Sequence, residues 1–204
     1  MAKILQLSDS QLISSGSNRK CYYHPTDASL CVKVLHASSP KKSQTREIDY
    51  FSVLKSRGIS WEMIAQLHEV VETSEGTGVV FDLVQDYDGS VSKTLGYYLA
   101  QDNPAINKVA VEKLGELIEY LVNENIIFRD LISENVGLKR AQDNTFTPVV
   151  VDGIGHNDFI PLCTYVKFFG RKKNLRKWHR EKYNWFSDYK NVRDDIYSIA
   201  TQHS

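Results

Sequence analysis

The chain has 204 residues, 42% hydrophobic and 25% charged, with 25 Lys or Arg against 25 Asp or Glu, so its formal net charge is zero. That composition suits one sizeable core, or two small lobes sharing an interface, and the length excludes two independent domains of average size. The sequence also lacks three signals: a run of 18 apolar residues that would span a membrane, a secretory leader over Met1–Ser8, and a C-x-x-C pair among Cys21, Cys31 and Cys163.

An odd cysteine count without metal-ligand spacing argues against a disulfide framework or a zinc site, and a reducing cytosol fits best. The first half reads mainly as strands. Gln11–Ser14 leads into the polar turn Ser15-Gly16-Ser17-Asn18. Lys20–Tyr23, the turn His24-Pro25-Thr26-Asp27 and Leu30–Leu35 follow, which predicts a strand meander. A helix comes next, with Ser43 as N-cap, Ile48, Phe51 and Leu54 on one apolar face, and Gly58 as its stop. His68–Glu72 and Val79–Val84 read as a hairpin about Ser74-Glu75-Gly76-Thr77. Asp86-Tyr87-Asp88-Gly89 is a turn-rich link and marks a hinge between an N-terminal lobe, to about residue 86, and a C-terminal lobe from about residue 90.

Beyond the hinge the pattern turns helical. Val111, Leu114, Leu117, Ile118 and Leu121 keep helical spacing between Asn107 and Asn123. Ile126–Gly137 is irregular, and Pro148–Val151 is a short apolar strand that ends at Asp152-Gly153. From Phe159 the tail mixes aromatic and basic residues on one or two helices. Between Lys167 and Lys182 there are eight Lys or Arg and one Glu, a local charge of +7 that the rest of the chain balances. Such a segment can mark an acidic partner, an anionic membrane surface or nucleic acid, of which nucleic acid is not the expected one. It can equally be the solvated face of a helix docked on its own acidic domain.

Three separated motifs carry the chemistry. Cys31-Val32-Lys33-Val34-Leu35 sets a lysine in an apolar strand, where an unpaired ammonium is costly to bury, and Glu47 on the first helix is its candidate partner. Phe128-Arg129-Asp130-Leu131-Ile132-Ser133-Glu134-Asn135 resembles the protein-kinase catalytic loop H-R-D-L-x-x-x-N. Val149-Val150-Val151-Asp152-Gly153 resembles the kinase magnesium-binding loop without its phenylalanine. Each motif alone has a bland explanation: a solvent-facing lysine on an alternating strand, polar loop residues, and a common Asp-Gly turn. Together they stand in kinase order, each on the element that its role requires.

The resemblance implies an α+β, protein-kinase-like bilobal fold over residues 1–204: a mainly antiparallel sheet with one helix, then a reduced, mostly helical lobe. It implies ATP and Mg2+ as cofactors. Lys33 and Glu47, with Gly16 and Ser17 of the first turn, would bind ATP; Asn135 and Asp152 would hold the metal; Asp130 would be the catalytic base or orienter.

A narrower likeness rests on Arg19-Lys20-Cys21-Tyr22-Tyr23-His24-Pro25, Cys31-Val32-Lys33-Val34, Glu72-Thr73 with Gly76-Thr77-Gly78, the 86–89 link, Val150–Gly155 and Ile160-Pro161-Leu162. These segments resemble the bacterial YrbL family, also called the PhoP regulatory network protein family, from about Gly16 to Trp178. The family's name implies an envelope or magnesium-stress setting in Gram-negative bacteria.

The sequence also departs from the kinase pattern. Gly16 is the only glycine of the phosphate loop, where Ser15, Ser17 and a cationic Arg19 or Lys20 could partly substitute. Phe128 replaces a histidine as a packing change, and Ile132 stands where many protein kinases carry a lysine. Asp152 is followed by Gly-Ile-Gly, and only 52 residues, with no A-P-E string, come after it. The expectation is an ATP- and magnesium-dependent phosphotransferase of unknown protein or small-molecule acceptor, cytoplasmic or peripheral to the inner membrane. The alternatives are a nucleotide-binding pseudokinase with a regulatory role, and a membrane adaptor using Phe168, Phe169, Trp178 and Trp185 among the cations of 167–182.

Overall fold

The structure is a computed structural model that describes residues 4–101, 103–155 and 167–185, together with positions 189, 192, 194–196 and 198. Its fold is α+β. Strands β1 (Leu12–Ser15), β2 (Arg19–Tyr23), β3 (Leu30–Leu35), β4 (Leu67–Thr73) and β5 (Gly76–Asp82) form one sheet in the order β1-β2-β3-β5-β4, with every neighbouring pair antiparallel. The central position of β3 explains its composition. Cys31, Val32, Lys33 and Val34 are all buried because both faces of that strand are covered.

Val32 and Val34 pack outward with Leu7, Tyr22 and Val80, under a lid made by the N-terminal segment, whose Leu5 pairs with Thr73. Cys31 and Lys33 face the other way. Cys31 joins the main core, which runs without a break from β3 and β5 through α1 to the helices of the second half.

Helix α1 (Lys41–Ser56) begins earlier than the sequence suggests. Pro40, with φ −71°, occupies the N-cap position, and Ser43 lies inside the first turn, its N–H bonding the Pro40 carbonyl at 3.0 Å. The fixed φ of proline presets the helix entry, and this outweighs the capping preference of serine. The stop falls where expected: Gly58 has φ +62°, a left-handed conformation that ends a helix with no Cβ penalty. The buried stripe of α1 changes chemistry along its length. Gln44 and Glu47 are polar and lie toward its N-terminal end, while Tyr50, Phe51 and Leu54 continue the same stripe into the core.

In the second half, α2 (Leu95–Leu99) is capped by Thr94, whose side chain accepts from the Tyr97 N–H. Helix α3 (Pro104–Asn123) starts three residues ahead of the periodic run, because the Asn103 side chain accepts from the N–H groups of Ala105 and Ile106 and Pro104 takes the first helical position. Val136–Arg140 (β6) and Phe146–Val150 (β7) form a separate two-stranded hairpin. The last helix, α4 (Lys167–Trp185), contacts α3. Trp178 is buried in the main core, and the buried Asn174 amide donates to the carbonyls of Leu121 and Ile126. Arg171, Lys172, Arg176 and Arg180 are exposed. No helix among the described residues is long and apolar enough to cross a membrane.

The 86–89 turn is fastened to β6. The buried Asp86 carboxylate accepts from the Arg140 N–H at 3.0 Å and the Ser92 hydroxyl at 2.5 Å, and the Tyr87 N–H bonds the Arg140 carbonyl. Ile160-Pro161-Leu162 and Cys163 lie outside the described residues, as do the side chains of Phe168, Phe169 and Trp185.

Candidate functional site

Between the five-stranded sheet and the second half lie two adjoining cavities. One, of about 420 Å³, is walled by Ser15, Gly16, Cys21, Cys31, Lys33 and Val84 on the sheet side. The other, of about 560 Å³, is walled by Ser17, Asn18, Ser43, Arg129, Asp130 and Ile132. Gly16, Arg19, Glu134, Asn135 and Asp152 line both, so these five residues mark the junction.

Two loops deliver the acidic groups, and they are tied together through their backbones. The Gly153 carbonyl accepts from the N–H of Arg129 at 2.6 Å and of Asp130 at 3.1 Å, and Phe128 pairs with Ile154 in an isolated bridge. Gly153 has φ +82°, and a Cβ there would lie 2.2 Å from the Asp130 carbonyl oxygen. Only glycine fits this approach. The Asn135 amide donates to that same Asp130 carbonyl at 2.9 Å, and the Val151 N–H bonds the Asn135 carbonyl. Asp130, Asn135 and Asp152 are thus positioned by main-chain bonds rather than by the phenylalanine that the Asp152 loop lacks. Phe128 is 2% exposed and packs into the core. Tyr50 supports the approach to it from α1, its hydroxyl accepting from the Ile127 N–H at 2.7 Å. Burial pushes that phenol up to about 12, so it stays neutral in this role.

Lys33 lines the first cavity, Glu47 lines neither, and the two do not pair as the sequence suggests. Lys33 is 7% exposed, not solvent-facing. Its ammonium donates to the Val151 carbonyl and lies 4.3 Å from the Phe81 ring centroid. Glu47 instead holds Arg19, with Nη1 to Oε2 at 2.8 Å. The Arg19 Nε also lies 3.5 Å from Asp152 Oδ2, so one guanidinium joins α1 to the loop after β7. The reason is geometric. In the antiparallel register Arg19 sits opposite Leu35 and Cys21 opposite Lys33, so all four face the same side, and the longer arginine fork reaches the helix. Period-two alternation from Lys33 was the signal that could have placed Arg19 in the site.

Burial works against charge on Arg19, yet Glu47 and Asp152 overcome it and raise its pKa above the ordinary value. Burial likewise works against a charged Asp152, but Lys33, Arg19 and the Gly153 N–H together hold its carboxyl below the usual range. Asp130 is different. Its side chain is 54% exposed, and its carboxylate pairs with the neighbouring Arg129 Nε at 2.7 Å. Arg129 also reaches the Ser43 hydroxyl of α1 at 3.4 Å. From below, the Lys177 ammonium of α4 donates to the Arg129 carbonyl, so the basic helix props the loop that carries Asp130.

The donor set suits a hard divalent cation. Asp152 offers a carboxylate and Asn135 an amide oxygen that accepts no hydrogen bond among the described residues, and a positively charged guanidinium already stands beside Asp152.

Comparison with known proteins agrees with the sequence likeness. The family described as "PhoP regulatory network protein YrbL" matches residues 5–183. The chain belongs to the YrbL family. Two relatives, each named "Uncharacterized protein YrbL", from Escherichia coli (strain K12) and Shigella flexneri, are 33% identical over 180 residues, covering 87% of this chain and 86% of each relative. The YrbL match spans both cavities and every residue of the junction.

Proposed function

We propose that this YrbL-family chain is an ATP- and magnesium-dependent phosphotransferase of protein-kinase-like, bilobal architecture. It forms a single domain over 1–204, with the 86–89 turn as its hinge. The meeting of Asn135 and Asp152 at the junction of two cavities, with Lys33 in the wall of the first and Asp130 in the wall of the second, is the observation that supports this most. The 420 Å³ cavity, with apolar walls from both halves, would take the base and sugar, and the junction would take the phosphates. Magnesium, held by Asn135 and Asp152, would neutralise charge on the phosphate oxygens. The exposed Asp130 carboxylate faces the second cavity, where an acceptor hydroxyl would lie, and orients it or takes its proton. Phosphoryl transfer depends mainly on positioning and electrostatics, and the backbone-locked loops supply the positioning.

A second reading, a nucleotide-binding pseudokinase that regulates a partner, is favoured by one feature: the Asp130 carboxylate is engaged by Arg129, with Ile132 in place of a phosphate-directed cation. Two substitutions separate the readings. Asp130→Asn abolishes phosphate transfer and leaves ATP affinity nearly unchanged, whereas Asp152→Asn weakens Mg-ATP binding itself. Thermal melting with ATP, with and without Mg2+, reads binding by mass action, and transfer to protein, water or small acceptors reads activity. Wild-type protein that is stabilised by Mg-ATP yet transfers nothing is the pseudokinase. No stabilisation by either leaves the cleft without a nucleotide.

The setting that the family name suggests is a regulatory one in a bacterial envelope or magnesium-stress response, with the chain in the cytoplasm or at the inner membrane's inner face. The exposed cations of α4 would meet an acidic partner or anionic lipid there. Trp178 takes no part in such a surface, because it is buried in the core.

A further inference from the structure

Resting on the nucleotide reading above, we infer that Arg19 is the phosphate-reading cation of this cleft and that, before the nucleotide arrives, it stands in for the metal at Asp152. Arg19 follows directly on the Gly16–Asn18 turn, and its carbonyl closes that turn by accepting from the Gly16 N–H at 2.9 Å. It therefore sits where a glycine-rich loop would offer backbone N–H groups, and this loop has one glycine. Its side chain lines both cavities. Glu47 anchors Nη1 and Asp152 attracts Nε, while Nη2 has no hydrogen bond among the described residues and remains for a phosphate oxygen. Lys33 lines only the first cavity, held against the Val151 carbonyl and the Phe81 ring.

Electrostatics then makes the site sequential. A divalent ion approaching Asp152 alone meets the guanidinium 3.5 Å from the same carboxylate and is repelled. A polyphosphate draws Arg19 toward itself, with Glu47 keeping the anchor, and uncovers Asp152 for the metal. The Lys33 charge also bears on Asp152 but is tied to the Val151 carbonyl, so the movable part of the coupling between nucleotide and metal is Arg19.

Calorimetry on the full chain tests the inference with two separate probes, tripolyphosphate without metal and Mn2+ without phosphate. In Arg19→Gln, tripolyphosphate binding weakens roughly 10- to 100-fold, the loss of a charge-assisted hydrogen bond, while Mn2+ alone binds more tightly than to wild type. A merely structural arginine would weaken both. Arg19→Lys keeps the charge and loses the fork, so tripolyphosphate binding falls severalfold and Mn2+ binding stays as weak as in wild type. A double-mutant cycle on ATP affinity couples Arg19→Gln with Glu47→Gln, whereas Lys33→Met and Glu47→Gln add. Parallel loss of both probes, or no change in either, overturns the role of Arg19 while Mg-ATP still binds wild type. Wild type that binds neither tripolyphosphate nor Mg-ATP overturns the nucleotide reading, and this inference with it.

Discussion

Cys21 and Cys31, free thiols on neighbouring strands, look into the same cavity as Lys33. The closeness of Cys31 and the Lys33 charge bring the Cys21 thiol below its ordinary value against the opposing effect of burial, while the same closeness and burial push Cys31 up. Cys21 therefore becomes thiolate at lower pH than Cys31. Iodoacetamide modifies Cys21 before Cys31, the rate falls as the pH drops, and saturating Mg-ATP slows it. Peptide mapping by mass spectrometry checks the order, and unchanged labelling in the presence of nucleotide would place ATP elsewhere. How far single residues are legible in sequence depends on the kind of fact. Identities and chain order locate Asp130, Asn135 and Asp152, since these sit on loops next to recognisable strands. Which cation takes Glu47 depends on side-chain reach across a cleft, and no local pattern encodes that.

Among the elements, α4 shows why charge patterning alone is ambiguous. Its cations suggest a surface for others, yet Asn174, Lys177 and Trp178 bind the chain's own backbone and core. Among the described side chains of this helix the exposed cations are Arg171, Lys172, Arg176 and Arg180. Trp178→Ala, at a site 1% exposed, should cost about 3–5 kcal/mol in urea unfolding. Reversing Arg171 and Arg176 to Glu should cost within about 0.5 kcal/mol while abolishing any co-sedimentation with anionic vesicles. A large stability loss from the reversal would show that this face, too, is internal. Strand β3 and the stop of α1 could be read from sequence because composition and glycine punctuation are local. Helix α2 could not, since five residues are too few for a period to register. The start of α1 shifted because proline and serine compete for the same cap.

At the scale of the whole molecule, one apolar core joins the sheet to the helices, so the two halves unfold together, and coincident transitions by fluorescence and circular dichroism are the expected result. The antiparallel sheet and its following helices were foreseeable from the order of periodic segments. The precise seat of the cavities was not, because it depends on contacts between segments distant in sequence, such as Lys33 with Val151. The double acceptance by the Gly153 carbonyl has a mechanical consequence. The segments bearing Asp130 and Asp152 are tied by two hydrogen bonds to one carbonyl, so displacing either segment alone breaks both bonds. Deuterium uptake should show it: the amides of Arg129, Asp130 and Gly155, whose acceptors all cross this seam, exchange as a set with one opening rate. Gly153→Ala, whose Cβ would lie 2.2 Å from the Asp130 carbonyl oxygen and so would force the two segments apart, speeds all three together and leaves the amides of β3 unaltered. Control by swinging Asp130 or Asp152 aside would have to break this seam, whereas control by admitting or refusing what enters the cleft would leave it whole.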